Sequence, residues 1–157
     1  MSNTFIFDWL ARNRQNMLKH LDRIPAEQLT VIPEDFNNNI YWQFGHIVMV
    51  ADSIIYGLSG HTRKLPQTYA TFFAPNTRPA DWHGEPPAWE DVLSVFNSQI
   101  DELRTAFAGK LNDPVAVADN FAGAKTVHDL FELNLSHEAS HAGMINAMTR
   151  LLKRATV

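Results

Sequence analysis

Residues 40–58, IYWQFGHIVMVADSIIYGL, constrain the fold more than any other stretch of the chain. Ile40, Phe44, Ile47, Val48, Ala51, Ile55 and Leu58 form one helical stripe, and Trp42, Met49, Val50 and Tyr56 make the opposite side apolar as well. A helix that is apolar nearly all round must be covered on more than one side, within a core or by another subunit. The run approaches membrane-spanning length with Asp52 its only formal charge. Yet Gln43, His46, Asp52 and Ser53 lie inside it, and polar groups at that density are costly in hydrocarbon. The reading is a buried helix of a globular domain, with no membrane association.

Elsewhere the apolar spacing is three-and-four, and no strand pattern is sustained. A first helix, capped by Thr4 or Asn3, runs to Leu21 on Phe7, Leu10, Leu18 and Leu21, with Met17 beside them. Asn37, Asn38 and Asn39 offer caps for the second helix, which ends near Ser59 with Gly60 suited to the left-handed position. Residues 61–87 carry five prolines and the aromatics Tyr69, Phe72, Phe73 and Trp82, and read as a long connection draped over the core. A third helix spans Ala88 to Phe107, with Pro87 at its first position and Gly109 closing it. Thr126 and Asp129 mark the start of a fourth, which continues to about Lys153. The expectation is one all-α domain over residues 1–157, a four-helix bundle.

Composition narrows the chemistry. The chain of 157 residues has no cysteine, so thiolate nucleophiles, disulfides and cysteine ligands are excluded. A formal net charge of −4 argues against nucleic acid as a partner. The N-terminus shows no basic segment, apolar run and cleavage site, so a cytoplasmic location is expected.

Seven histidines are the only soft ligands. On the fourth helix Leu130, His137, His141, Met144, Met148 and Leu151 share one stripe, which stacks two imidazoles on the core-facing side. Burying two imidazoles without a carboxylate beside them is costly unless something satisfies their nitrogens, and residues four apart can share a metal. His46, inside the apolar second helix, is the best third ligand. His20, His61, His83 and His128 read as solvated. His137-Glu138-Ala139-Ser140-His141 also matches the H-E-x-x-H protease helix, in which the Glu is general base. Against a protease, the sixteen residues after His141 hold no Glu, Asp or His, and no strand precedes the helix.

NNNIYWQFGHIVMVADSIIYGLSG followed far downstream by HEASHAGMI resembles the DinB-like (DinB/YfiT) metalloenzyme superfamily. The resemblance spans nearly the whole chain, and includes a Gly-His pair in the second helix and His-x-x-x-His-x-Gly in the fourth. It implies His46, His137 and His141 as ligands of one divalent transition metal per chain, zinc foremost, with nickel or another ion as alternatives. Trp42 and Asn134 are expected to line the site. The resemblance also implies an up-down-down-up bundle order, with the long crossover joining helices two and three, and a homodimer.

Three neutral imidazoles leave a metal with an open position. A bound water there becomes a nucleophile near neutral pH, and a bound thiol is held as thiolate. Several relatives of the family are thiol-dependent S-transferases, and others are described as hydrolases. The leading expectation is a low-molecular-weight-thiol S-transferase acting on a small molecule, with the thiol as co-substrate. The alternatives are a hydrolase, for which Glu138 is the candidate general base, and a non-catalytic stress-response or interaction protein braced by its metal.

Overall fold

A computed structural model describes residues 4–155, all helix and connecting turns. There are five α-helices where four are expected: α1 (Phe5–Leu21), α2 (Ile40–Ala51), α3 (Gln67–Phe73), α4 (Trp89–Phe107) and α5 (Val127–Ala155). No strand occurs among the described residues beyond an isolated bridge between Pro114 and Thr126. The four long helices close on one another, α1 packing against α4 and α5, and α2 packing against the same two. Among the described residues, no helix is long and apolar enough to cross a membrane.

Local chemistry sets most of the helix ends. The Asn39 side chain caps α2 by accepting from the Trp42 N–H at 2.8 Å. At α5 the Thr126 hydroxyl and the Asp129 carboxylate each take the other's backbone N–H, a reciprocal cap. Gly60 and Gly109 take the left-handed conformation that ends their helices, at φ 79° and 80°. Thr4 precedes α1 but makes no side-chain cap bond, and the alternative cap, Asn3, lies outside the described residues. The helix expected from Ala88 begins one residue later, with Ala88 as its cap.

The second helix departs from the expected continuous α-helix to Ser59. It changes at Asp52 into a π-helical turn, Asp52–Gly57. Asp52 is fully buried, and its carboxylate accepts from the Arg63 guanidinium at 2.9 Å and the Lys64 backbone N–H at 2.7 Å. A carboxylate in the core must be bonded on this scale, and the crossover supplies the donors.

That crossover is not a bare loop. Pro66 starts α3, and the chain turns out of it before Pro75, which cannot continue a helix. Tyr69, Phe72 and Phe73 are buried from α3, and Trp82 donates to the Phe72 carbonyl at 3.0 Å. Trp42, Met49, Val50 and Tyr56, the side of α2 that suggested a second subunit, are buried within this one chain. The covering that an all-apolar helix demands is intramolecular, and that face offers no surface for a dimer.

Two expected stripes are rotated. On α1 the buried face runs Phe7, Leu10, Arg14, Met17, with Leu18 and Leu21 at its edge. On α5 it runs Leu130, Phe131, Asn134, Glu138, His141, Ile145, Met148, Leu152, while Leu151 is 41% exposed and His137 only half-buried. Both faces are centred on a charged residue that hydrophobic spacing passes over. Arg14 grips Glu138 through two bonds, Nε to Oε2 at 3.0 Å and Nη2 to Oε1 at 2.7 Å, with both side chains buried. Removing one partner strands the other charge in the core. Arg14→Met or Glu138→Leu alone is therefore expected to cost about 3–5 kcal/mol, and the double variant less than the sum of the two. Urea unfolding of the three variants checks this.

Candidate metal centre

Glu138 fixes how α5 presents its histidines. Successive residues on an α-helix turn by about 100°, so with Glu138 aimed at α1, His137 and His141 fall about 100° and 60° to one side of it. That side faces α2, where His46 stands. The ligating nitrogens of His46, His137 and His141 all lie within 4.8 Å of one another. His46 Nε2 and His137 Nε2 are 3.1 Å apart, close to the roughly 3.3 Å that two zinc–nitrogen bonds of about 2.0–2.1 Å set at a tetrahedral ion.

His46 on α2 and His141 on α5 are each held from behind. The Phe73 carbonyl, at the end of α3, lies 2.6 Å from His46 Nδ1, and the Gln43 Oε1 lies 2.5 Å from His141 Nδ1. An oxygen acceptor there places the proton on Nδ1 and leaves the Nε2 lone pair for the cluster. Trp42 stacks on His46 with centroids 4.4 Å apart and planes 13° from parallel, and its Nε1 donates to Thr77. His137 Nδ1 is buried without a hydrogen-bond partner.

Gly45 explains the Gly-His pair of the sequence. A Cβ at this position would sit 2.4 Å from the Phe73 ring. With only hydrogen there, α3 can lie close enough to α2 for its last carbonyl to reach the neighbouring His46.

Burial holds all three imidazoles in the neutral, ligating form. It lowers the pKa of His46 to about 4, partly offset by the bond to Phe73, and that of His137 to about 4. His141 falls to about 3, by burial first and then by the two neighbouring imidazoles. A trio of neutral nitrogens without a carboxylate suits a borderline transition ion such as zinc or nickel rather than magnesium or calcium. The residues present fit such an ion.

The remaining candidates are placed elsewhere. Glu138 is not in the cluster: Arg14 binds both its oxygens, and the Asn134 amide adds a third bond to Oε1 at 2.9 Å. Asn134 thus braces the ion pair, although its own Oδ1 is buried and unpartnered. His61 and His83 are exposed, and His20 and His128 are half-buried away from the three. His128, Asp129 and Glu132 form a second, more exposed group at the start of α5, where Asp129 is already engaged in the helix cap. Gln43 and Phe73 were not anticipated as site residues. A signal existed for Gln43, a lone amide in an otherwise apolar run and one turn before His46; nothing local marks the Phe73 carbonyl.

These features define an all-helical protein with a three-imidazole centre between two of its helices. The chain belongs to the DinB superfamily, whose family model matches residues 10–145. Among solved structures it is similar to a conserved protein from Enterococcus faecalis, at 18% identity and a TM-score of 0.67, covering 97% of this chain and 98% of that one. That likeness is one of fold. No curated protein matches the chain.

The pH dependence follows from the lowered imidazole pKa values. The unfolded chain takes up these protons near the ordinary value of 6.5, and the folded metal-free protein only near 4 or below. Their contribution to stability is therefore complete above about pH 6.5 and is lost as pH falls toward 4. Urea unfolding of metal-free protein is expected to weaken over that window, and less steeply in His137→Gln. Imidazole NMR signals of the three residues should not titrate above pH 5.5, roughly one and a half pH units over their folded-state midpoints.

Proposed function

We propose that this protein is a metal-dependent enzyme in which His46, His137 and His141 hold one divalent transition ion, zinc foremost. Its reaction is the transfer of a low-molecular-weight thiol to an electrophilic small molecule. The observation that carries this reading is the donor set itself. Three neutral imidazoles converge, and no fourth His, Cys, Asp or Glu among the described residues joins them, which is the composition of an open rather than a closed site. Half-buried His137 sets the cluster toward the surface.

An ion bound there supplies positive charge that favours the thiolate form of a thiol at neutral pH. The thiolate sulfur attacks the electrophilic carbon, the leaving group departs with its electron pair, and the thiol proton goes to solvent. The chain's own residues keep the imidazoles neutral, orient His46 and His141 through the Phe73 carbonyl and Gln43, and set Trp42 against His46. Thiol transfer needs no further protein base. A hydrolase is better served by one, and Glu138 is already committed to Arg14 and Asn134. This favours the transferase over the hydrolase.

The up-down-down-up order belongs to the same proposal. It is supported by the long crossover through α3, since joining two parallel helices requires a return along the bundle. A homodimer is also proposed, on family resemblance, with an interface away from the covered face of α2.

Purified protein reconstituted with zinc or nickel should carry close to one ion per chain, and His141→Ala should lose most of it, as elemental analysis will read. With glutathione and an activated aryl halide, loss of free thiol should be at least about tenfold faster for metal-loaded than metal-free protein, a barrier difference of about 1.4 kcal/mol. Metal-dependent ester hydrolysis without thiol transfer would establish the hydrolase instead. A metal that raises the melting temperature while neither reaction occurs would establish the structural brace.

A further inference from the structure

The fully buried amide of Gln43 stands between two other side chains and has an assigned task at each end. Its Oε1 lies 2.5 Å from His141 Nδ1, and its Nε2 donates to the Asn38 Oδ1 at 2.8 Å. That Nε2 also lies 4.0 Å from the Met144 Sδ. An amide removed from water costs free energy unless both ends are bonded, so retaining one in a helix whose every residue is buried needs a reason.

We infer that Gln43 is a positioning residue for the metal centre, selecting the His141 tautomer whose Nε2 lone pair faces His46 and His137. The inference rests on the three-histidine reading of the site. A neutral imidazole has one proton, and an amide oxygen can only accept, so the proton lies on Nδ1 and Nε2 is left as a ligand. His46 receives the same treatment from the Phe73 carbonyl. The two devices differ in one respect: a backbone carbonyl has a fixed polarity, whereas an amide can turn over. Reversed, Gln43 would offer N–H to His141, drive the proton onto Nε2 and block the ligand.

In this structure the Gln43 Nε2 donates to the Asn38 Oδ1, which leaves Oε1 pointing to His141. Gln43 also precedes His46 by three positions, so it projects from the same side of α2. One helix therefore carries a ligand and the group that orients a ligand on another helix. Asn38, Gln43 and His141 form a chain of hydrogen bonds from the start of α2 into the centre.

The test uses the full chain with 15N-labelled histidine. In metal-free wild type the His141 ring shifts should report the Nδ1–H tautomer; the Nε2–H tautomer would overturn the inference. Gln43→Met, of similar volume but without the acceptor, should give a mixture of tautomers. It should also bind zinc about 10- to 100-fold more weakly in a chelator competition, the usual effect of losing such a partner. Gln43→Glu, which keeps an acceptor oxygen against Nδ1, should restore binding to within about threefold of wild type, well inside that range. Equal zinc affinity in wild type and Gln43→Met would overturn the positioning role and leave the three-histidine site standing. Wild type that binds no zinc or nickel would overturn both. If Gln43→Met loses its helical circular dichroism, the wild-type tautomer and the Gln43→Glu affinity decide alone: Nε2–H, or affinity at least about tenfold down in a folded Glu variant, overturns the inference.

Discussion

The bidentate pair of Arg14 and Glu138 is the interaction on which the rest of the arrangement depends. A buried ion pair holds only when nearly every polar atom around it is bonded. Here the Arg14 guanidinium also reaches the Phe96 carbonyl at 3.0 Å and the Gln99 Oε1 at 2.8 Å, and it lies over the Phe96 ring. Gln99 in turn donates to the Val48 carbonyl of α2 at 2.9 Å. One charged pair thereby joins α1, α4 and α5, and reaches α2 through a single further bond. Such directed bonds set the rotation of each helix, which apolar contacts alone define loosely.

Rotation is what makes the centre. Turned by one residue so that His137 pointed at α1, α5 would carry Glu138 about 100° to the side away from α2 and take His141 off the α2 side. With Glu138 tied to α1, both α5 imidazoles fall on the α2 side and meet His46. The H-E-x-x-H pattern therefore has a different physical meaning here from its meaning in a protease. The glutamate between the histidines orients the helix that carries them, and its carboxylate is used up in doing so.

The crossover completes the centre from the other side. Asp52 anchors its first residues to the π-helical turn, and the aromatics of α3 cover α2. The bare surface of Gly45 lets α3 approach until the Phe73 carbonyl meets His46. The segment that covers the apolar helix is thus also the one that orients its histidine. Packing and ligand orientation are parts of one contact, with Trp42 stacked against the same ring.

Much of this was legible in the sequence, because helix formation, capping and chain reversal are local. The long apolar helix, the glycine stops, the Thr126–Asp129 cap and the paired histidines all follow from spacing and residue type, and the place of His46 inside the apolar helix made it their best partner before the resemblance pointed to the same residue. What sequence reading misplaced were the positions where a polar group replaces an apolar one. Arg14 and Glu138 sit at the centres of their buried faces, yet hydrophobic spacing treats each as a surface residue and shifts both stripes. Asn134 was expected at the metal and instead braces the ion pair. The face of α2 that could have met a second subunit is covered within the chain, Trp42 bonding to Thr77 and Tyr56 packing on Phe107 of α4. Each of these outcomes depends on a partner that is distant in the chain: Arg14 for Glu138, Phe73 for Gly45 and His46, Gln43 for His141. The sequence alone determined the elements and the ligand types, which depend on near neighbours. Only the tertiary structure decided which way each helix turns and which proton His46 and His141 keep, because both are set by bonds between residues far apart in sequence.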